Sequence, residues 1–170
     1  HMLARAEARQ AAGVRLVQAG YNNQSLCLYT RLGFRTREPL SLMNGTPPRV
    51  RIDGFQVRPA VREDAAACDR LCRTVHGFAR RRELADAIGA GTARVVERHG
   101  RLTGYATDIG FSAHAVGETS QDQMALIGAA SRIDGPGILV PTRNHELFSW
   151  ALDHGLGLVF QMTLMSIGLY

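Results

Sequence analysis

Two stretches of the chain, Asn22 to Phe34 (NNQSLCLYTRLGF) and Asn144 to Leu156 (NHELFSWALDHGL), follow one plan: a polar cap, a short helix and a glycine stop. Laid over each other 122 positions apart, Asn22 falls on Asn144, Gly33 on Gly155, Leu42 on Leu164 and Met43 on Met165. The agreement continues into the flanking segments, where Leu16 falls on Ile138, Val17 on Leu139, Phe34 on Leu156 and Ser41 on Thr163. Matching without a gap through strand, helix and next strand marks an internal repeat. The first copy holds only the back half of what the second holds from about Gly54 onward.

The elements around the repeat read as follows. LARAEARQAAG is helical in composition and stops at Gly13; VRLVQAG is a strand; Asn22 or Asn23 caps the next helix; FRTREPLSLM is a strand that Pro39 assigns to an edge or a bulge. NGTPPRVRIDG is turn chemistry with a stiff Pro-Pro linker. A second unit then runs FQVRPA strand, REDAAACDRLCRTVHG helix, RRELADAIGAG helix, and a hairpin turning at His99-Gly100. After SAHAVGE, a helix with a Ser120/Gln123 capping box follows, then GILVPT strand, NHELFSWALDHG helix and LVFQMTLMS strand. The expected domains are residues 3–46, a partial helix–strand–helix–strand unit, a linker at 47–53, and a complete unit at 54–170. The partial unit has too little sheet to bury its own apolar face. Its strand edge and helix face are expected to be covered by the second unit or by another copy of the chain in a homodimer.

Composition narrows the classes. No run of eighteen apolar residues and no signal-peptide pattern occurs, so a soluble cytoplasmic protein is expected, with no membrane partner. The leading His1-Met2 reads as the scar of an expression tag. Cys27, Cys68 and Cys72 lie in apolar or helical patterns without C-x-x-C spacing and read as buried thiols, and the scattered histidines offer no metal-ligand spacing. All 20 basic side chains are Arg, so the chain has no Lys ammonium to be acylated. The net charge of +5 resides in residues 1–50, which argues for an anionic ligand there and against a nucleic-acid surface on the main unit. The run Arg80-Arg81-Arg82 reads as a solvated helix face.

Asn22-x-x-Ser25-x-x-Leu28-Tyr29-x-x-x-Gly33-Phe34, after VRLVQAGYN, resembles the back half of the Gcn5-related N-acetyltransferase (GNAT) superfamily. The element order of residues 54–170 resembles the same fold. The resemblance implies an α/β protein (α+β in some schemes) with a mixed, largely antiparallel sheet flanked by helices. It identifies the chain with a fragment of a tandem protein whose second copy has diverged. It implies transfer of acetyl from acetyl-CoA to an amine, with Tyr29 as the general acid that protonates the departing CoA thiolate and Asn22 as a cofactor-side contact. A phenol with a pKa of about 10 is suited to that proton transfer. On the residues alone, Tyr29 also fits a packed ring and Asn22 a helix cap.

The family holds the CoA pyrophosphate on a glycine-rich loop that opens a helix, where backbone N–H groups and the helix dipole meet the anion. In the first copy that loop would precede Leu3, and Arg5 and Arg9 sit on the helix expected to follow it. In the second copy the place is taken by GETSQDQMALIG, whose Glu118 and Asp122 compete with a phosphate for the same donors. Ala151 stands where the first copy has Tyr29 and has no proton to give. On the substrate side, His114 and Glu118 lie four apart and form a candidate general-base pair. The family usually adds one more strand, so a further strand beyond IGLY is expected. The chain alone is expected to be inactive. The alternative is a non-catalytic structural or ligand-binding module.

Overall fold

The computed structural model describes residues 2–169; the His1 expected as a tag scar and the terminal Tyr170 lie outside them. The element order is α1 (Met2–Ala8), β1 (Gly13–Ala19), α2 (Asn23–Arg31) and β2 (Arg35–Asn44). Beyond the linker come β3 (Gln56–Pro59), α3 (Ala65–His76), α4 (Arg81–Gly89), β4 (Arg94–Arg98), β5 (Arg101–Ala106) and β6 (Ala115–Gly117). The chain continues through α5 (Ser120–Gly128), β7 (Ile138–Pro141), α6 (His145–Asp153) and β8 (Gly157–Gly168). The expected fold class is observed: antiparallel sheets flanked by helices.

The strands form two four-stranded sheets, ordered β1-β8-β2-β7 and β3-β4-β5-β6. The first sheet interlaces the two ends of the chain, because β8 runs antiparallel between β1 and β2. Within the chain β2 is flanked by β8 and β7 and β1 by β8 on one side only, so the other edge of β1 has no strand beside it among the described residues.

The register of this sheet keeps the 122-residue offset read from the sequence. Leu40 faces Met162; one step either way, Ser41 faces Gln161 and Pro39 faces Thr163, pairs that exchange when positions are shifted by 122. Pairing slips at two places, between Thr36 and Glu38 and between Leu42 and Met43, and these too exchange. The outer pairs agree: Leu16 faces Met165 on one side, and Met43 faces Ile138 on the other. Pro39 lies in an interior strand, in regular register with Thr163 and two residues beyond the slip at Arg37, so neither the edge nor the bulge expected from the sequence is found there. Its missing N–H is tolerated because the β2–β7 pairing begins only at Leu40, opposite Pro141.

The turn chemistry repeats bond for bond. Asn22 Oδ1 accepts the Ser25 amide at 3.0 Å, and Asn144 Oδ1 accepts the Leu147 amide at 3.2 Å. Phe34 N donates to Tyr29 O at 3.0 Å, and Leu156 N to Ala151 O at 2.9 Å, each across a left-handed glycine, Gly33 or Gly155. The burial differs. In α6, Leu147 and Ala151 are buried; α2 buries no residue fully, and Leu28 and Leu32 are about half exposed.

The largest core cluster lies around α5, which packs Met124, Ala125, Leu126 and Ile127 against Val96 and Ala106 of one sheet and Met43, Ile138 and Val140 of the other. A second cluster joins α3 and α4 to the outer face of β4–β6 through Cys68, Leu71, Cys72, Leu84, Val95, Tyr105 and Val116. Cys68 and Cys72 are buried as expected, but Cys27 is exposed, because nothing packs over its side of α2. No helix among the described residues is long and apolar enough to cross a membrane.

Candidate functional site

The short β6 and the edge strand β7 belong to different sheets, so the molecule opens between them. The opening is a cleft of about 330 Å³ lined by Ile138, Leu139 and Val140 on one wall, Ala115 and His114 on the other, and Phe78, Phe111, Arg15 and Arg80 over its mouth. Gly77 adopts φ 76°, a left-handed turn that ends α3 and folds the following residues back across the cleft. Arg15 reaches the same place from β1, with its guanidinium carbon 4.8 Å from the centre of the Phe78 ring.

His114 lies on the floor, its Nε2 3.7 Å from Cys72 Sγ and its ring 5.3 Å from the ring of His76 and 5.9 Å from Tyr105. Burial, followed by the charges of Arg80, His76 and Arg15, pushes His114 down to about 3, so the imidazole is neutral. His76 is lowered from its usual value by burial and then by Arg15 and Arg80. Tyr105 is raised by burial and by its bond to Cys72.

The expected His114–Glu118 pair is not formed. Glu118 is engaged by Arg101 through both carboxylate oxygens and by Arg98 at 3.6 Å, whereas His114 keeps to Cys72 and His76. Its loss of basicity also makes His114 a poor acceptor for a substrate proton.

At the start of α5 three backbone amides are bonded within the protein. The capping box uses Thr119 and Asp122, one residue earlier than the Ser120/Gln123 pair read from the sequence. Asp122 is fully buried and takes the Thr119 amide at 2.8 Å, the Thr119 hydroxyl at 2.8 Å and the Thr103 hydroxyl. The Glu118 amide goes to Thr103 O at 3.0 Å, and the Asp122 amide to Thr119 Oγ1 at 3.3 Å. Asp122 thus takes one backbone amide and two hydroxyls at the start of α5, while Glu118 is drawn away by arginine. Ser120 Oγ donates to Asn144 Oδ1 at 3.0 Å, tying the starts of α5 and α6 together.

The remaining sequence candidates lie in the N-terminal part. Asn22 is a helix cap by its bond to Ser25. Arg5 and Arg9 are exposed on and just after α1. Tyr29 is partly buried on α2, its ring 5.9 Å from Phe34 in an edge contact, and does not line the cleft between β6 and β7. Sequence reasoning missed Arg80, placed on a solvated helix face but in fact over the cleft, and Arg15 with Phe78. The glycine after His76 was the available signal that the chain turns back there. Among the described residues no group of His, Cys, Asp or Glu is arranged to hold a metal.

No family model matches the sequence, and no curated protein matches it. Solved structures do match its fold. A candidate acetyltransferase from Pyrococcus horikoshii is similar over 99% of this chain and 58% of its own, at 16% identity and a TM-score of 0.70. A GCN5-related N-acetyltransferase from Sphaerobacter thermophilus matches 92% of this chain and 59% of its own, at 12% identity and a TM-score of 0.54. A GNAT-family acetyltransferase from Colwellia psychrerythraea matches 93% and 65%, at 12% identity and a TM-score of 0.52. The chain therefore spans about three fifths of the length of these structures, and what it shares with them is the GNAT fold.

Proposed function

We propose that the protein is a GNAT-type acyltransferase of tandem descent in which this chain provides a second, divergent copy that does not turn over acetyl-CoA. The reaction would be direct attack of an amine on the acetyl thioester, in the cytoplasm, with no metal, nucleic-acid or membrane partner. The observation that carries the inactivity of residues 54–169 is the buried Asp122, which holds the Thr119 amide where the family's pyrophosphate would need donors. Ala151, fully buried at the repeat position of Tyr29, supports the same reading, since it has no proton for a thiolate.

The catalytic part falls to the first copy. Tyr29 would be its general acid, and Arg5, Arg9 and Asn22 would stand on its cofactor side once a cleft is completed beside β1. That completion is assigned to further chain or to a second protomer, because β1 is an edge strand among the described residues. The test is release of CoA from acetyl-CoA with a panel of amines, run on the longest form of the protein that occurs. Tyr29→Phe should lower kcat there by about 10²-fold or more, the scale of general-acid catalysis. Turnover unchanged by Tyr29→Phe, or turnover by residues 1–170 alone, would contradict the assignment.

The alternative reading, a non-catalytic ligand-binding module, is favoured for residues 54–169 by the open cleft, together with the bond from the Thr119 amide to Asp122.

A further inference from the structure

We infer that the cleft between β6 and β7 binds a small carboxylate with an apolar body, gripped at its charged end by Arg15 and Arg80. The inference does not rest on acetyl transfer and holds whether or not any part of the protein is catalytic.

Three observations carry it. The first is charge placement. Arg15 and Arg80 come from opposite ends of the chain, one from β1 and one from the turn after α3, and both line the mouth of one cavity. Arg80 Nε is 2.9 Å from Glu83, yet a guanidinium has five N–H donors in a fixed fork, so one partner does not use up its capacity. The acid on the wall, Asp108, is bound by Arg132 at 3.1 Å. The second observation is the apolar lining. Phe78, Phe111, Ile138 and Leu139 face the same space, a slot suited to a hydrocarbon or aromatic body and poor for a free phosphate.

The third is the field at the floor. His114 meets His76 and Cys72 from α3 and Tyr105 from β5, with Arg80 and Arg15 acting on it from the mouth; Asp108 lies on the same wall. Burial weighs most in lowering both histidines, and both arginines add to it in each case. Burial penalises a charge of either sign, but the part of the effect that comes from Arg80 and Arg15 favours an anion beside the rings. A bound carboxylate should therefore restore some basicity to both rings.

The experiment is a proton NMR titration of the imidazole resonances of the intact chain. Benzoate is the probe, with benzyl alcohol as its neutral counterpart and inorganic phosphate as an anion without an apolar body. The expected result is a saturable shift of the His76 and His114 signals with benzoate, at least tenfold weaker binding of benzyl alcohol and of phosphate, and raised histidine pKa values at saturation. Arg80→Gln, on an exposed turn, should weaken benzoate at least tenfold while the thermal transition stays in place; Arg15→Gln should do likewise. Phosphate binding as well as benzoate would overturn the ligand class. Equal binding of benzyl alcohol, full affinity in both arginine variants, or no saturable shift with any probe would overturn the anion site.

Discussion

Leu40 and Met162 stand opposite each other on β2 and β8, at the position from which the register reads alike in both directions. The pair marks a local two-fold relation between segments 122 residues apart, and it makes the N-terminal strands and the C-terminal strand one cooperative sheet. Met165, wholly buried and facing both Leu16 and Thr36, locks that sheet from the inside. Met165→Ala should cost about 2–5 kcal/mol, the usual range for truncating a buried methionine. Thermal unfolding checks this, and hydrogen exchange should then quicken in β1 and β2 together. Quickening confined to β8, or residues 13–44 exchanging freely in the unaltered protein, would contradict the interlaced sheet.

Gln18 is a polar side chain left unpaired in the interior. Its amide is buried in β1 at 5% exposure, and neither its oxygen nor its nitrogen has a hydrogen-bond partner among the described residues; 122 positions on stands the apolar Val140. A buried unpaired amide costs about 1–3 kcal/mol. Gln18→Leu should raise the melting temperature by several degrees, and a fall would show that the amide has a partner.

Asp122 holds the start of α5 in place. Asp122→Ala removes the cap from α5 and strands the Thr103 hydroxyl in the core, so a loss of about 2–4 kcal/mol in chemical denaturation is expected. A loss below about 0.5 kcal/mol would mean that Asp122 contributes little to holding α5, against ordinary capping energetics.

The floor histidine sets a pH dependence. His114 lies near 3 in the folded chain against an ordinary value of 6.5, so the unfolded state binds the extra proton first. Stability should be full above about 6.5 and decline as pH falls toward 3, by on the order of 1 kcal/mol near pH 5 once partial exposure is allowed for. Melting temperatures at pH 7.5, 6 and 5 test it, and His114→Gln should flatten that part of the curve.

Most of the elements were legible because turn chemistry is local. The His99-Gly100 hairpin, the Asn22 and Asn144 caps and the Gly33 and Gly155 stops each depend on a few neighbouring residues. The 122-residue offset was legible too, and the β2–β8 pairing is symmetric under it. What could not be read was which strands meet: nothing local tells β8 to enter between β1 and β2. The cleft was partly hidden for the same reason. Arg15 and Arg80 are 65 positions apart, and only the turn at Gly77 and the interlaced sheet bring them together. His114 was found, but its partner was misassigned, since the spacing to Glu118 suggested a pair that Arg101 pre-empts.

The central claim is that the start of α5 is occupied by Asp122 and so refuses a pyrophosphate. Calorimetric titration of acetyl-CoA into the purified chain, with desulfo-CoA as control, tests it most directly. No saturable heat with either compound is predicted. Saturable binding at micromolar strength would show that the chain builds a cofactor site despite Asp122 and would contradict the account.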